Sequence, residues 1–91
     1  MNPTQARLIQ ENGEVVVVDV ASLKVGDTLE VLLGDQVPID GVITKGLTSI
    51  DEATITGESM PRSKGEGDEV FASTVNLSSR IEMRVTAEST D

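Results

Sequence analysis

The chain has 91 residues, no cysteine, no histidine and a single aromatic, Phe71. Without thiols there is no disulfide framework and no thiolate metal site, and without imidazoles the commonest general base and transition-metal ligand are absent. Lys and Arg total 7 against 16 Asp and Glu, a formal charge of −9; that sign argues against nucleic acid and against an anionic membrane face, which both attract Lys and Arg.

A chain of this length makes one domain that buries roughly 60–65% of its unfolded surface. Its core has to be aliphatic. No apolar run approaches the roughly 20 residues that span a bilayer, so direct membrane insertion is not expected. No charged and then apolar leader marks a signal peptide.

In chain order, Asn12-Gly13 is a two-residue hairpin signal, predicting Ala6–Gln10 paired antiparallel with Glu14–Val20 and its run Val15-Val16-Val17-Val18. Ala21–Gly26 reads as a connector with one helical turn and Ser22 as its cap. Thr28–Leu33 is β-leaning, and Gly34-Asp35 turns the chain. Pro38 lacks a backbone donor, so Gln36–Ile39 is expected to be an edge or a loop. Gly41–Lys45 is a short strand stopped by Gly46. Ser49–Ile55 alternates polar and apolar and runs, as a strand, into Thr56-Gly57-Glu58-Ser59, closed by Met60-Pro61. Arg62–Asp68, with two glycines and mixed charge, is expected to be an exposed flexible connection. Glu69–Val75 reads as one strand around Phe71, and Asn76–Ser79 as a turn. Arg80–Ala87 alternates, with Ile81, Met83 and Val85 on one face. Glu88–Asp91 is expected to fray. Many short strands and no helix of ordinary length predict an all-β fold: a small distorted jelly roll or β-sandwich of short antiparallel strands.

Four groups of residues carry candidate chemistry. Asp35, Pro38, Asp40 and Gly41 read as linked turns, with Asp accepting backbone N–H groups, Gly supplying positive φ and Pro fixing φ. A calcium loop is the other reading, but Val37 and Ile39 interrupt the alternation of oxygen ligands it requires. Asp51 and Glu52 are adjacent, so on a strand they point to opposite faces. One of them is expected to face inward and support the loop, because paired-carboxylate catalysis needs two acids across a cleft. In Thr56-Gly57-Glu58-Ser59 a carboxylate sits at a turn between two hydroxyls, able to orient a water molecule and take its proton. The plain reading is a solvated surface Glu, and a catalytic one requires the rest of the site to come from elsewhere. Arg62 and Lys64 are solubilising charges or a docking spot for an acidic surface.

The ordered set Leu23-Lys24-Val25-Gly26-Asp27, Gly34-Asp35 with Pro38 and Asp40-Gly41, Asp51-Glu52, and Thr56-Gly57-Glu58-Ser59 with Pro61 resembles the actuator domain of P-type ATPases. The resemblance runs from about Ala6 to Ala87. Val70–Asn76 is similar to the heavy-metal-transporting branch, more to the zinc, cadmium and cobalt exporters than to the copper ones. That family usually has Gly where Ser73 stands and Gly near Ser78-Ser79.

The resemblance implies a single actuator domain, residues 1–91, taken from a larger membrane pump and lying on its cytoplasmic side at a plasma or inner membrane. Its partners would be the phosphorylation and nucleotide-binding domains and the transmembrane helices of the same pump. Glu58 would deprotonate the water that hydrolyses an aspartyl phosphate. Thr56 and Gly57 would shape the approach and Ser59 would support the loop, with Asp35, Pro38, Asp40, Gly41, Asp51, Glu52 and Pro61 as structural support. The domain itself needs no cofactor, whereas the parent pump would use ATP and Mg2+. The isolated domain would be inactive alone. A rival reading is a non-catalytic acidic β module docking a basic protein surface. Another is a calcium-binding turn protein using Asp35, Asp40, Asp51 and Glu52.

Overall fold

Alternation of apolar and polar side chains sorts the strands into two sheets that share one core. A computed structural model describes residues 2–88. The strands are β1 (Gln5–Ile9), β2 (Val15–Asp19), β3 (Thr28–Val31), β4 (Gly41–Lys45), β5 (Thr48–Asp51), β6 (Arg62–Lys64), β7 (Glu69–Val70), β8 (Val75–Asn76) and β9 (Ile81–Val85), with a helical turn α1 (Ala53–Thr56) after β5. One sheet has the order β2-β1-β3-β9-β4-β7 and the other β6-β5-β8. The named pairings are antiparallel, and the domain has the expected all-β, sandwich-like form.

Register explains the core. Leu8 pairs with Val16 on one side and Leu29 on the other, Leu29 with Met83, and Met83 with Ile43. This row crosses five strands on one face, and Leu29, Met83 and Ile43 are fully buried. Ile50 of β5, also fully buried, closes the core from the second sheet. Each such side chain contributes about 1.5–3 kcal/mol relative to exposure, enough for an aliphatic core without aromatic bulk. On the opposite face Arg80 donates to Glu30 at 2.6 Å and to Glu82 at 3.0 Å. The Glu30 hydrogen bond chiefly raises the guanidinium above its ordinary value; burial opposes it, and the Glu82 hydrogen bond adds to the rise.

Several local expectations change. The β1–β2 loop has three residues, not two: Gln10 N–H bonds Glu14 and Gly13 N–H bonds Gln10, with Gly13 at φ +88°. That is a type I turn followed by a left-handed residue, which matches strand twist as well as a two-residue turn does. The connector has a 3-10 turn at Val20–Ser22, but Ser22 donates to the Asp19 carbonyl and caps nothing. Gln36–Ile39 is irregular, as Pro38 requires, yet Val37, Pro38 and Ile39 are buried. The strand before the acidic loop stops at Asp51, because the Asp51 carboxylate takes Ala53 N–H at 2.9 Å and starts a helical turn. Arg62–Lys64, expected as a flexible connection, forms β6 against β5. The stretch around Phe71 splits into β7 and β8 in different sheets, turning at Ser73. Asn76, expected in a turn, is a fully buried strand residue. Of the terminal stretch expected to fray, residues 89–91 lie outside those described.

Candidate active-site loop

The loop begins with a helical turn because its first donors are satisfied locally. Glu52 supplies the carbonyl that accepts Ile55 N–H and Thr56 N–H, at 3.0 and 2.9 Å. Gly57 ends the turn in the left-handed region, φ +75°, with its N–H on the Ala53 carbonyl. A Cβ there would meet nothing of this domain within 4 Å, so the fold itself requires Gly57 for its backbone angle. The Thr56 hydroxyl donates to the Glu52 carbonyl at 3.0 Å and accepts Glu58 N–H at 3.2 Å. One hydroxyl thus fastens the outgoing backbone of Glu58 to the helical turn. The side chain that bridges the loop is Thr56.

Residues 54–63 are all exposed, and Glu58 stands in the middle of this run. Thr56, Glu58, Met60, Pro61, Arg62 and Ser63 line an open hollow of about 340 Å³. Met60 is 73% exposed. The arrangement presents one carboxylate at a surface and offers it to something from outside.

Beneath the loop lies Glu52, whose side chain is 7% exposed. Its carboxylate lies 3.4 Å from Arg62 Nε and 3.0 Å from Lys64 Nζ. Oε2 is buried and lacks a well-directed hydrogen bond although it touches Lys64. Lys64 Nζ also donates to the Glu69 carbonyl at 2.8 Å, so its contact with Glu52 is a close charge pair whose direction departs from that of a hydrogen bond. Lys64 also sits 5.4 Å from the centre of the Phe71 ring. Its side chain is only 15% exposed, so in this structure Lys64 is largely an internal cation. Arg62, at 63%, keeps an exposed surface. The inward acid of the Asp51–Glu52 pair is therefore Glu52; its side chain reaches the cations after the loop, and its carbonyl holds the loop backbone.

The other candidate residues are placed apart from the loop or serve its surroundings. Asp35 accepts Leu32 N–H and Arg7 Nε, both at 3.2 Å. Asp40 accepts Ala72 N–H at 2.9 Å. Asp35, Asp40, Asp51 and Glu52 thus each serve a different local partner, and no group of three or more metal-type ligands converges among the described residues. Gly34 has the positive φ expected of that turn, +89°, but Gly41 does not. Gly41 is a buried strand residue whose Cβ would lie 2.3 Å from the Arg84 carbonyl oxygen; it is glycine for room. Pro38 is buried and Pro61 exposed at the loop exit.

The family described as the P-type ATPase actuator domain matches residues 1–91. The chain belongs to this family. Among curated relatives, a copper-exporting P-type ATPase of Staphylococcus epidermidis is 46% identical over 82 residues, 90% of this chain and 10% of that protein. A zinc-transporting ATPase of Bacillus subtilis is 43% identical over 91 residues, all of this chain and 14% of that protein. The crystal structure of a zinc-transporting PIB-type ATPase in the E2.Pi state superposes with a TM-score of 0.90 at 34% identity, covering 96% of this chain and 14% of that one. The actuator domain therefore spans about a tenth to a seventh of the relatives it matches.

Sequence reasoning missed one residue that holds the actuator domain together. Asn76 donates to the Val31 carbonyl at 3.1 Å and the Ser79 carbonyl at 2.7 Å, and accepts the Thr48 hydroxyl at 2.6 Å. Its own backbone bonds Gly34 N–H and the Asp35 carbonyl. It ties the end of β3 to the sheet that carries the loop. An Asn between Val75 and Leu77 resembles any turn residue, and only its distant partners distinguish it.

Proposed function

We propose that this actuator domain works within a membrane pump that transports a heavy-metal ion using ATP and Mg2+, and that its Thr56–Ser59 loop promotes hydrolysis of an aspartyl phosphate on the pump's phosphorylation domain. In this reading the domain is a cytoplasmic piece of a longer chain. Its partners are that phosphorylation domain, the nucleotide-binding domain and the transmembrane helices. Among the described residues no helix is long and apolar enough to cross a membrane. The ion is a heavy metal as a class: relatives named for copper and for zinc stand at 46% and 43% identity, too close to separate them.

The chemistry needs little from this chain beyond placement. A water oxygen attacks phosphorus in line, the bond from phosphorus to the aspartate oxygen breaks, and the Glu58 carboxylate accepts the water proton. Gly57, without a side chain, lets the loop come close to the phosphoryl group. Thr56, with its hydroxyl engaged by Glu52 and Glu58, fixes the approach. A carboxylate nearing a phosphoryl group is repelled, so compensating positive charge has to come from the other domain.

The observation that carries this reading is the exposed Glu58 on a loop anchored at both stems. Its test is Glu58→Gln in the full-length pump. The variant is expected to form its phosphoenzyme from ATP and to lose steady-state ATPase activity by about 10²–10⁴-fold. Undiminished turnover would reject the assignment.

A further inference from the structure

We propose that Glu52 is a positioning residue for Glu58, clamping the two stems of the loop through Arg62 and Lys64. The inference rests on the dephosphorylation reading above. Glu52 precedes the helical turn and its cationic partners follow the loop, so a single side chain spans the exposed segment from below. The same residue's carbonyl holds Thr56, whose hydroxyl holds Glu58 N–H. Entry and exit of the loop are thus both referred to one residue.

Fold stability alone does not call for a carboxylate at this place. A buried ion pair is commonly no better than well-packed apolar groups of similar volume, because desolvation offsets attraction. Here the geometry is poorer than usual, since Oε2 lacks a directed hydrogen bond. The β5–β6 ladder ends at Ile50 with Arg62; what the ion trio adds is a tie from Glu52, beyond that last pair, to the residues at the loop's exit. A displacement of about 1 Å in a catalytic group can lower rate by about 10²-fold. The clamp therefore acts on where Glu58 stands when the phosphoryl group arrives.

The experiment compares phosphoenzyme decay in the full-length pump for Glu58→Gln, Glu52→Gln and the double variant. Glu52→Gln is expected to reach the wild-type phosphoenzyme level and to decay about 10–100-fold more slowly. In the Glu58→Gln background it is expected to add no further slowing, because it acts only through Glu58. Normal decay of Glu52→Gln beside a trapped Glu58→Gln overturns the clamp and leaves the dephosphorylation reading standing. Normal decay of Glu58→Gln removes that reading first. Further slowing in the double variant also overturns the clamp, since Glu52 would then act independently. If Glu52→Gln does not fold, Lys64→Met and Lys64→Arg decide the matter. Slow decay in the first and restored decay in the second support the clamp, and equal decay in both overturns it.

Discussion

Ser73 holds φ at +68°, the left-handed region that a residue with a side chain enters at a penalty of roughly 1–2 kcal/mol. Its N–H bonds the Val37 carbonyl, so neighbouring backbone fixes the angle. The Gly that the resemblance leads one to expect here would meet without strain a conformational demand that Ser meets under it. Ser73→Gly is expected to raise unfolding free energy by ~0.5–1 kcal/mol in urea denaturation, the relieved strain exceeding the added chain entropy. No change or a loss would refute this. Gly41 is the reverse case. Gly41→Ala puts a methyl against backbone at 2.3 Å and the Met83 side chain at 2.5 Å. It is expected to destabilise by at least ~1–3 kcal/mol in the same assay. The Gly41 point is not readable from the chain alone, where a Gly after Asp looks like a turn, and at Ser73 the resemblance marks the position but not the angle.

Among elements, β1, β2, β4 and β9 were legible because their information is local: alternation, a β-branched run and a glycine at the turn. The stems of the loop were not. α1 depends on the Asp51 side chain diverting the backbone, and β6 depends on pairing Lys64 with Thr48, 16 positions earlier. The acidic loop itself stood out because its unusual residue set is contiguous, whereas the clamp beneath it joins residues from both stems. The two sheets are coupled by Asn76. Asn76→Ala would remove the amide donor from the Val31 and Ser79 carbonyls and the buried acceptor of the Thr48 hydroxyl. We expect a loss of ~3 kcal/mol, seen as a lower urea midpoint with an unchanged slope. A loss below ~1 kcal/mol would show that the sheets are held by the apolar core alone.

Over its described residues the domain measures 35 × 27 × 20 Å, and the 91-residue chain carries a formal charge of −9. Packing over one core lets it turn as a single body and carry its loop with it. Self-repulsion among 16 acids and 7 bases opposes the compact state. Raising ionic strength from about 0.01 M to 0.15 M shortens the screening length from ~30 to ~8 Å. The thermal midpoint of the domain is expected to rise by about 4 °C, equivalent to less than ~1 kcal/mol. A fall would mean that surface ion pairs such as Arg80 with Glu30 outweigh the net repulsion. The central claim, that Glu58 acts on the water which meets the phosphoryl group, is tested most directly by oxygen exchange between inorganic phosphate and labelled water in the full-length pump. Glu58→Gln is expected to lower that exchange at least ~10²-fold while phosphorylation from ATP persists. Exchange at the wild-type rate in Glu58→Gln would contradict the account.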